Sequence, residues 1–324
     1  MYHIRTDLAV ENREIYRQIN NQDSKGVDIE REKKEFYEIT RVKVLNKEGS
    51  QNLHKDIGTY ITIDVPSLNK SDEDLKDEIS QVVAKEIKGL GKNKDDSKIL
   101  IVGLGNWNIT PDALGPKVVE RVLVTRQFFV NYNKEIDETV ANVAAISPGV
   151  MGITGIETGE IIKGVVEKIK PDLIIAVDAL ASRKMDRVST TIQISDTGIN
   201  PGAGVGNNRM ELSEKVLGVP VIGIGIPTVV DAATIVNDTL DLIIDSLKKE
   251  SAQGSEFYNL LSQTSAEEKY SLIQDVLNPY MKNVVVTPTD IDVLIEDLSI
   301  IVANGLNIAL HPGIDLKDVN RYIR

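Results

Sequence analysis

Two short apolar runs, 99–104 (ILIVGL) and 173–177 (LIIAV), constrain this chain more than any other feature. Runs this short and apolar at nearly every position suit strands covered on both faces, as in the middle of a parallel sheet. Each leads to an aspartate: Asp112 follows the first after a loop, and Asp178 directly follows the second. In open α/β sheets, ligand chemistry gathers at the carboxyl ends of the strands. Carboxylates are seldom buried without a partner or a task. Two acids delivered to one sheet edge point to paired-carboxylate chemistry. The plainer alternative is that Asp112 caps a helix starting near Leu114 and Asp178 caps the next element.

The rest of the pattern agrees with such a sheet. Strand signals recur near 99–104, 140–147, 172–178, 189–195 and 220–226, and helix signals near 114–125, 155–169, 211–217 and 231–248. This alternation predicts an α/β fold, a three-layer sandwich with a mainly parallel central sheet. Segments 36–46 and 58–65 alternate apolar and polar residues, which predicts an N-terminal β hairpin or edge pair. Ser71 is placed to cap a helix reaching about residue 88, with Leu75, Ile79, Val82, Val83 and Ile87 on one face. A long C-terminal helix is expected after Pro288, with Thr289 or Asp290 near its cap, running towards Leu310. Residues 1–30 lack clear periodicity and read as an extended, mobile arm, and 249–270 reads as a variable surface segment.

Composition narrows the function. The net charge of −12 argues against a nucleic-acid partner, because phosphate neutralisation needs a basic face. No run approaches the roughly 20 apolar residues of a membrane span, and the start MYHIRTDLAVENRE has no apolar signal core. The absence of cysteine removes disulfides, thiolate nucleophiles and zinc-thiolate sites. Cytoplasmic residence, no membrane partner and no cofactor are the resulting expectations. The three histidines, His3, His54 and His311, are all remote in sequence from the two aspartates.

Two glycine-rich stretches need weighing. Gly103-Leu104-Gly105-Asn106 follows a strand, but Asn108 stands where a dinucleotide fingerprint needs its third glycine, and Pro111 blocks early helix formation. A tight turn freeing the loop that carries Asp112 fits better. The second stretch, PGAGVGNNR, lacks the ending of a phosphate loop. Its amides and Arg209 suit a peptide carbonyl or a carboxylate, unless it is a plain loop. Gly105, Asn106, Gly204, Gly206 and Arg209 are therefore candidates for holding substrate or an oxyanion. No Gly-x-Ser-x-Gly elbow and no His-Glu-x-x-His pair is present, so no metal site is expected.

At VGLGN with TPDALGPK, SPGVMGITGIET, PDLIIAVDALASR, TIQISDTGINPGAGVGN, GVPVIGIGIPTVVDA and VTPTDIDVLIEDLSIIVANGLNIALH, the chain resembles the germination proteases of spore-forming bacteria. The likeness covers almost the whole length. It implies an endopeptidase that degrades small acid-soluble spore proteins, is made as an inactive precursor and assembles as a homotetramer in the spore core. The family's proposed catalytic aspartates fall on Asp112 and Asp178. Its substrates are cut after an acidic residue in a Thr/Ser-Glu-apolar-Ala-x-Glu type sequence, and residues 6–11 (TDLAVE) are similar to it. That resemblance implies self-cleavage between Asp7 and Leu8, making 1–7 a propeptide and 8–324 a single peptidase domain.

A more distant likeness links GLGNWNITPDALG to the hydrogenase maturation endopeptidases, with Asn106, Asp112 and Gly115 at matching spacing. Those enzymes use a later histidine as a metal ligand, and here none occurs between His54 and His311. A metal-free aspartate pair is the expectation. A metal-dependent hydrolase using the same aspartates and a non-catalytic module binding basic spore proteins stay open as alternatives.

Overall fold

The computed structural model describes residues 6–68, 72–92, 97–131, 139–201, 209–250 and 284–322. In chain order it begins with α1 (Ala9–Asn20), β1 (Val27–Lys33), β2 (Glu38–Val44), α2 (Lys47–Leu53), β3 (Gly58–Asp64) and α3 (Glu73–Gly89). The central part holds β4 (Lys98–Gly103), a 3-10 turn (Thr110–Asp112), α4 (Leu114–Arg121), α5 (Arg126–Asn131), β5 (Asn142–Ile146), α6 (Met151–Thr154) and α7 (Thr158–Ile169). Then follow β6 (Leu173–Ser182), β7 (Thr191–Ser195), α8 (Glu214–Leu217), β8 (Val221–Asp231), α9 (Ala232–Glu250), β9 (Val285–Val286), α10 (Ile291–Leu310) and α11 (Leu316–Tyr322).

The sheet order is β1-β2-β3-β7-β8-β6-β4-β5, with β9 pairing β8. Strands β5, β4, β6 and β8 are mutually parallel, and the β7-β3-β2-β1 wing is antiparallel. The parallel half carries the two apolar runs read from the sequence. Successive residues on a strand point to opposite faces. Ile99, Ile101, Ile175, Val177, Ile222 and Ile224 accordingly pack with α3, α4 and α10, while Leu100, Val102, Ile174 and Ala176 pack with Ile162 and Val166 of α7. The result is the expected three-layer α/β sandwich.

Helix α3 starts one residue later than anticipated, because Asp72 rather than Ser71 caps it by accepting from the Leu75 amide. Helix α10 is apolar and long enough by composition to cross a membrane, which the sequence reading had not anticipated, yet most of it is buried inside the protein. At Gly305 an added Cβ would lie 2.6 Å from a Val83 methyl, so α3 and α10 approach closely at that point. Ile301, fully buried in this layer, should lose about 2–5 kcal/mol of stability when changed to alanine, measurable by urea unfolding.

The N-terminal arm differs most from expectation. Residues 9–20 are not extended but helical, α1 beginning at Ala9, and Leu8, Ala9 and Val10 are buried. Strand β1 pairs with β2 residue for residue from Val27 to Lys33. Its sequence, VDIEREK, hides a strand because edge strands carry charge on exposed faces. The hairpin of the N-terminal region is thus β1-β2, and β2 joins its other partner, β3, through α2 rather than a tight turn. Most of the variable surface segment lies outside the described residues.

Candidate active site

Asp112 is held by a closed turn built on glycine. Beyond β4, the Leu104 amide donates to the Val177 carbonyl at 2.8 Å, so the chain leaves the strand still tied to β6. Gly105 then adopts φ 117°, a backbone that only glycine takes readily. The turn closes as the Asn106 amide donates to the Asp112 carbonyl at 2.9 Å and the Asp112 amide donates to Ile109 at 2.8 Å. The Asn106 Oδ1 accepts from the Asn108 amide at 3.0 Å. A Cβ on Gly105 would lie 2.0 Å from the Asp112 carbonyl oxygen, and one on Gly115 would lie 2.2 Å from Leu104 O and 2.6 Å from Val177 O. The bare backbones at 105 and 115 let the turn and the start of α4 rest directly on β4 and β6.

Asp178 does not end its strand, as the sequence suggested, because β6 continues to Ser182. Its neighbour β4 stops instead: Gly103 is paired with Val177, so Asp178 is the first β6 residue beyond that edge. The sheet-edge placement therefore comes from the shorter strand. Asp178 is 4% exposed, and its Oδ1 accepts from the Ala179 amide at 2.9 Å.

Asp178 senses Asp112. Burial pushes the Asp178 carboxyl well above its ordinary value of 3.8, and the charges of Asp112 and then Asp7 push it further. Burial also raises Asp112, opposed by Arg209 and by a hydrogen bond from the Asn106 amide. Such a pair favours a state with one proton between them.

A trough opens on the same face. In register, Asp178 of β6 is opposite Gly225 of β8, and Gly225 is opposite Gln193 of β7. Partnered residues share a face, and two strand spacings separate Asp178 from Gln193 by roughly 10 Å. Gly225 leaves room for Leu180 to lean over the middle strand, and Gly223 is covered by the Gly198 carbonyl. The adjoining cleft has a volume of about 640 Å³ and includes Thr6, Asp7, Lys55, Leu180, Gln193 and Glu211 in its walls.

The chain's own N-terminal segment enters this trough. The Asp7 amide donates to Ala181 O at 3.1 Å, and the Ala181 amide donates to Asp7 Oδ2 at 2.9 Å. The Asp7 carbonyl accepts from Lys55 Nζ at 2.7 Å and from Gln193 Nε2 at 3.1 Å. Gln193 Oε1 accepts in turn from the Ala9 amide at 2.7 Å. Leu8 and Val10 pack against Leu180. Glu11, 1% exposed, accepts from the Arg183 and Lys184 amides at 2.7 and 3.1 Å, pairs with Arg187 at 3.4 Å and receives the Thr6 hydroxyl.

The germination protease profile matches residues 4–265 and 249–323. The chain belongs to the germination protease family. It is 52% identical over 320 residues to the germination protease of Clostridium tetani, covering 99% of each chain. The Clostridium perfringens enzyme is 52% identical over 324 residues, covering all of both chains, and that of Bacillus cereus is 43% identical over 358 residues, covering 99% of this chain and 97% of the other. A solved NiFe hydrogenase maturation protease from Thermococcus kodakarensis, 20% identical, covers 56% of this chain and 93% of its own length at a TM-score of 0.29. Membership makes the chain a protease acting in spore germination, with a protein as substrate.

In this germination protease, the structure groups Asp112, Asp178, Gly105 and Asn106, and Arg209 lies close enough for its charge to act on both acids. Gly204 and Gly206 lie outside the described residues. Among the described residues, no cluster of three or more His, Asp or Glu side chains is placed to hold a metal. His311 is buried elsewhere, accepting from the Ala141 amide and facing the Leu123 carbonyl. Sequence reading missed Lys55, Gln193 and Arg187. One signal was available: Gln193 is a long polar side chain set between Ile192 and Ile194 in the buried strand TIQIS.

Proposed function

We propose that this chain is an endopeptidase that degrades small acid-soluble spore proteins during germination and uses Asp112 and Asp178 as its acid–base pair. It is made as a precursor that cuts itself between Asp7 and Leu8, releasing 1–7 from a single peptidase domain. It works as a homotetramer in the cytoplasm of the spore core. The observation that carries this reading is the seating of residues 6–11 in the cleft, with the Asp7 carboxyl near enough to act on Asp178. A segment resembling the family's substrate, with its Asp7 charge acting on Asp178, supports this reading.

The mechanism follows from the shared proton. The ionised carboxylate takes a proton from water, whose oxygen attacks the Asp7 carbonyl carbon, while the protonated partner supplies the proton that the leaving amine of Leu8 needs. Which acid plays which part is a property of the pair, because coupled groups titrate together.

A pH dependence follows. Both carboxyls are raised above 3.8, so they take up a proton at higher pH than free carboxylates would. Lys55 is shifted downward by burial, so acid also favours its charged form. Lowering the pH from neutral should therefore speed self-processing, until loss of the remaining carboxylate stops it. The products, a peptide ending at Asp7 and a chain beginning at Leu8, are identified by mass.

The direct test is to incubate the processed protein with a small acid-soluble spore protein, with and without a chelator. Cleavage after the acidic residue of the motif, unchanged by chelator, is expected. Binding without cleavage, or cleavage abolished by the chelator, would replace this reading.

A further inference from the structure

We propose that Lys55 and Gln193 form the oxyanion site of this protease, with Lys55 Nζ at 2.7 Å and Gln193 Nε2 at 3.1 Å both donating to the carbonyl oxygen of Asp7. The inference rests on the reading that the bond between Asp7 and Leu8 is a substrate of the Asp112–Asp178 pair. Among the described candidates suggested by the sequence, Gly105, Asn106 and Arg209, none is a donor to this carbonyl.

The placement follows from the fold. Lys55 comes just after the left-handed cap at His54 that ends α2, and its amide donates to Ser50 O. Its side chain lies beside the Tyr60 ring, with Nζ 5.9 Å from the centroid. Gln193 stands across Gly225 from Asp178. Its amide group is fixed at both ends, donating to Asp7 O and accepting from Ala9 N, so it spans the bond to be cut. One wall of the trough thus carries the acids, and the other carries two donors aimed at the carbonyl.

The chemistry balances. Water adds to the carbonyl carbon, and the π electrons of the C=O bond move onto oxygen, which the Lys55 ammonium and the Gln193 amide stabilise. When the carbonyl re-forms, the C–N bond breaks, and its electron pair goes to the Leu8 nitrogen, which takes a proton. Donors preorganised where negative charge develops contribute more in a site shielded from water, and losing one typically costs about 10²–10³ in rate.

The chain has no cysteine, so Lys55→Cys introduces a unique thiol. Aminoethylation of that thiol in the unfolded chain, followed by refolding, restores an ammonium at nearly the same reach. Self-processing of the full chain is followed by mass, and docking of residues 6–11 by hydrogen exchange at the Ala9 amide. Lys55→Cys should process about 10²-fold more slowly or worse with Ala9 still protected, because the Ala181, Arg183 and Lys184 amides and Gln193 still hold the segment. Aminoethylation should recover most of the rate, and Gln193→Ala should slow processing by a smaller factor.

Processing of Lys55→Cys within threefold of wild type would overturn the proposal. So would a slow rate that tracks lost Ala9 protection, or one that aminoethylation does not restore. If Lys55→Cys does not refold, Lys55→Met replaces it: a native spectrum with wild-type processing overturns the proposal, and a native spectrum with slow processing and a protected Ala9 supports it. Failure of the underlying reading looks different, since Asp178→Asn would then process normally.

Discussion

Asp112→Asn and Asp178→Asn are each expected to lower cleavage, of the chain's own bond and of spore protein, by at least about 10³-fold. The physical reason is that an amide can neither take a proton from water nor return one to a leaving amine. Stability should move the other way at position 178. Its carboxyl is raised in the folded protein by burial and by the charges of Asp112 and Asp7. A group raised on folding favours the native state most below its unfolded value, and that contribution is lost as pH rises through the folded value. At neutral pH, Asp178→Asn should therefore melt no lower than wild type, and the difference should shrink in acid. An inactive variant with an undiminished melting temperature separates catalysis from folding. Thermal melts at pH 7 and pH 4, beside a cleavage assay, measure both effects.

The second large effect is structural. Gly115→Ala should destabilise the protein by about 3 kcal/mol, through overpacking of backbone against backbone, and should depress cleavage even in the fraction that folds. Within a helix, alanine is ordinarily favoured over glycine by about 1 kcal/mol. Here the steric term wins, because the new Cβ would press on Leu104 O and N and on Val177 O, at 2.2, 2.5 and 2.6 Å. Those atoms are backbone and cannot swing aside as a side chain could. Relief requires α4 to lift from β4, and the turn carrying Asp112 would lift with it. Urea unfolding and cleavage rate, measured together, should fall in parallel. A variant as stable as wild type would show that the close approach of α4 to β6 is not needed.

The parallel half of the fold was legible because its strands are covered on both faces and spell themselves as unbroken apolar runs. The antiparallel wing was less so. Strand β1 reads as charged coil because its side chains meet solvent, and its existence depends on β2, a partner that local pattern does not reveal. The N-terminal arm misled for a related reason: Leu8, Ala9 and Val10 are too few to signal burial, and Leu180 and Ile199, against which Leu8 and Val10 pack, lie far along the chain.

The acids were found by their placement after buried strands, although the reason differed at Asp178, where the neighbouring strand ends rather than its own. Lys55 was not findable from local pattern. A lysine after a short helix is ordinary, and only the fold carries it across to the Asp7 carbonyl.

The central claim is that Asp112 and Asp178 together cut the bond their own N-terminal segment presents to them. Intact-mass analysis of purified wild-type and Asp178→Asn chains after mildly acidic incubation tests it most directly. The account predicts that wild type loses residues 1–7 and begins at Leu8, and that Asp178→Asn stays whole over the same period. Loss of the same seven residues from Asp178→Asn at the wild-type rate, or cutting of the wild type at another bond, would contradict it.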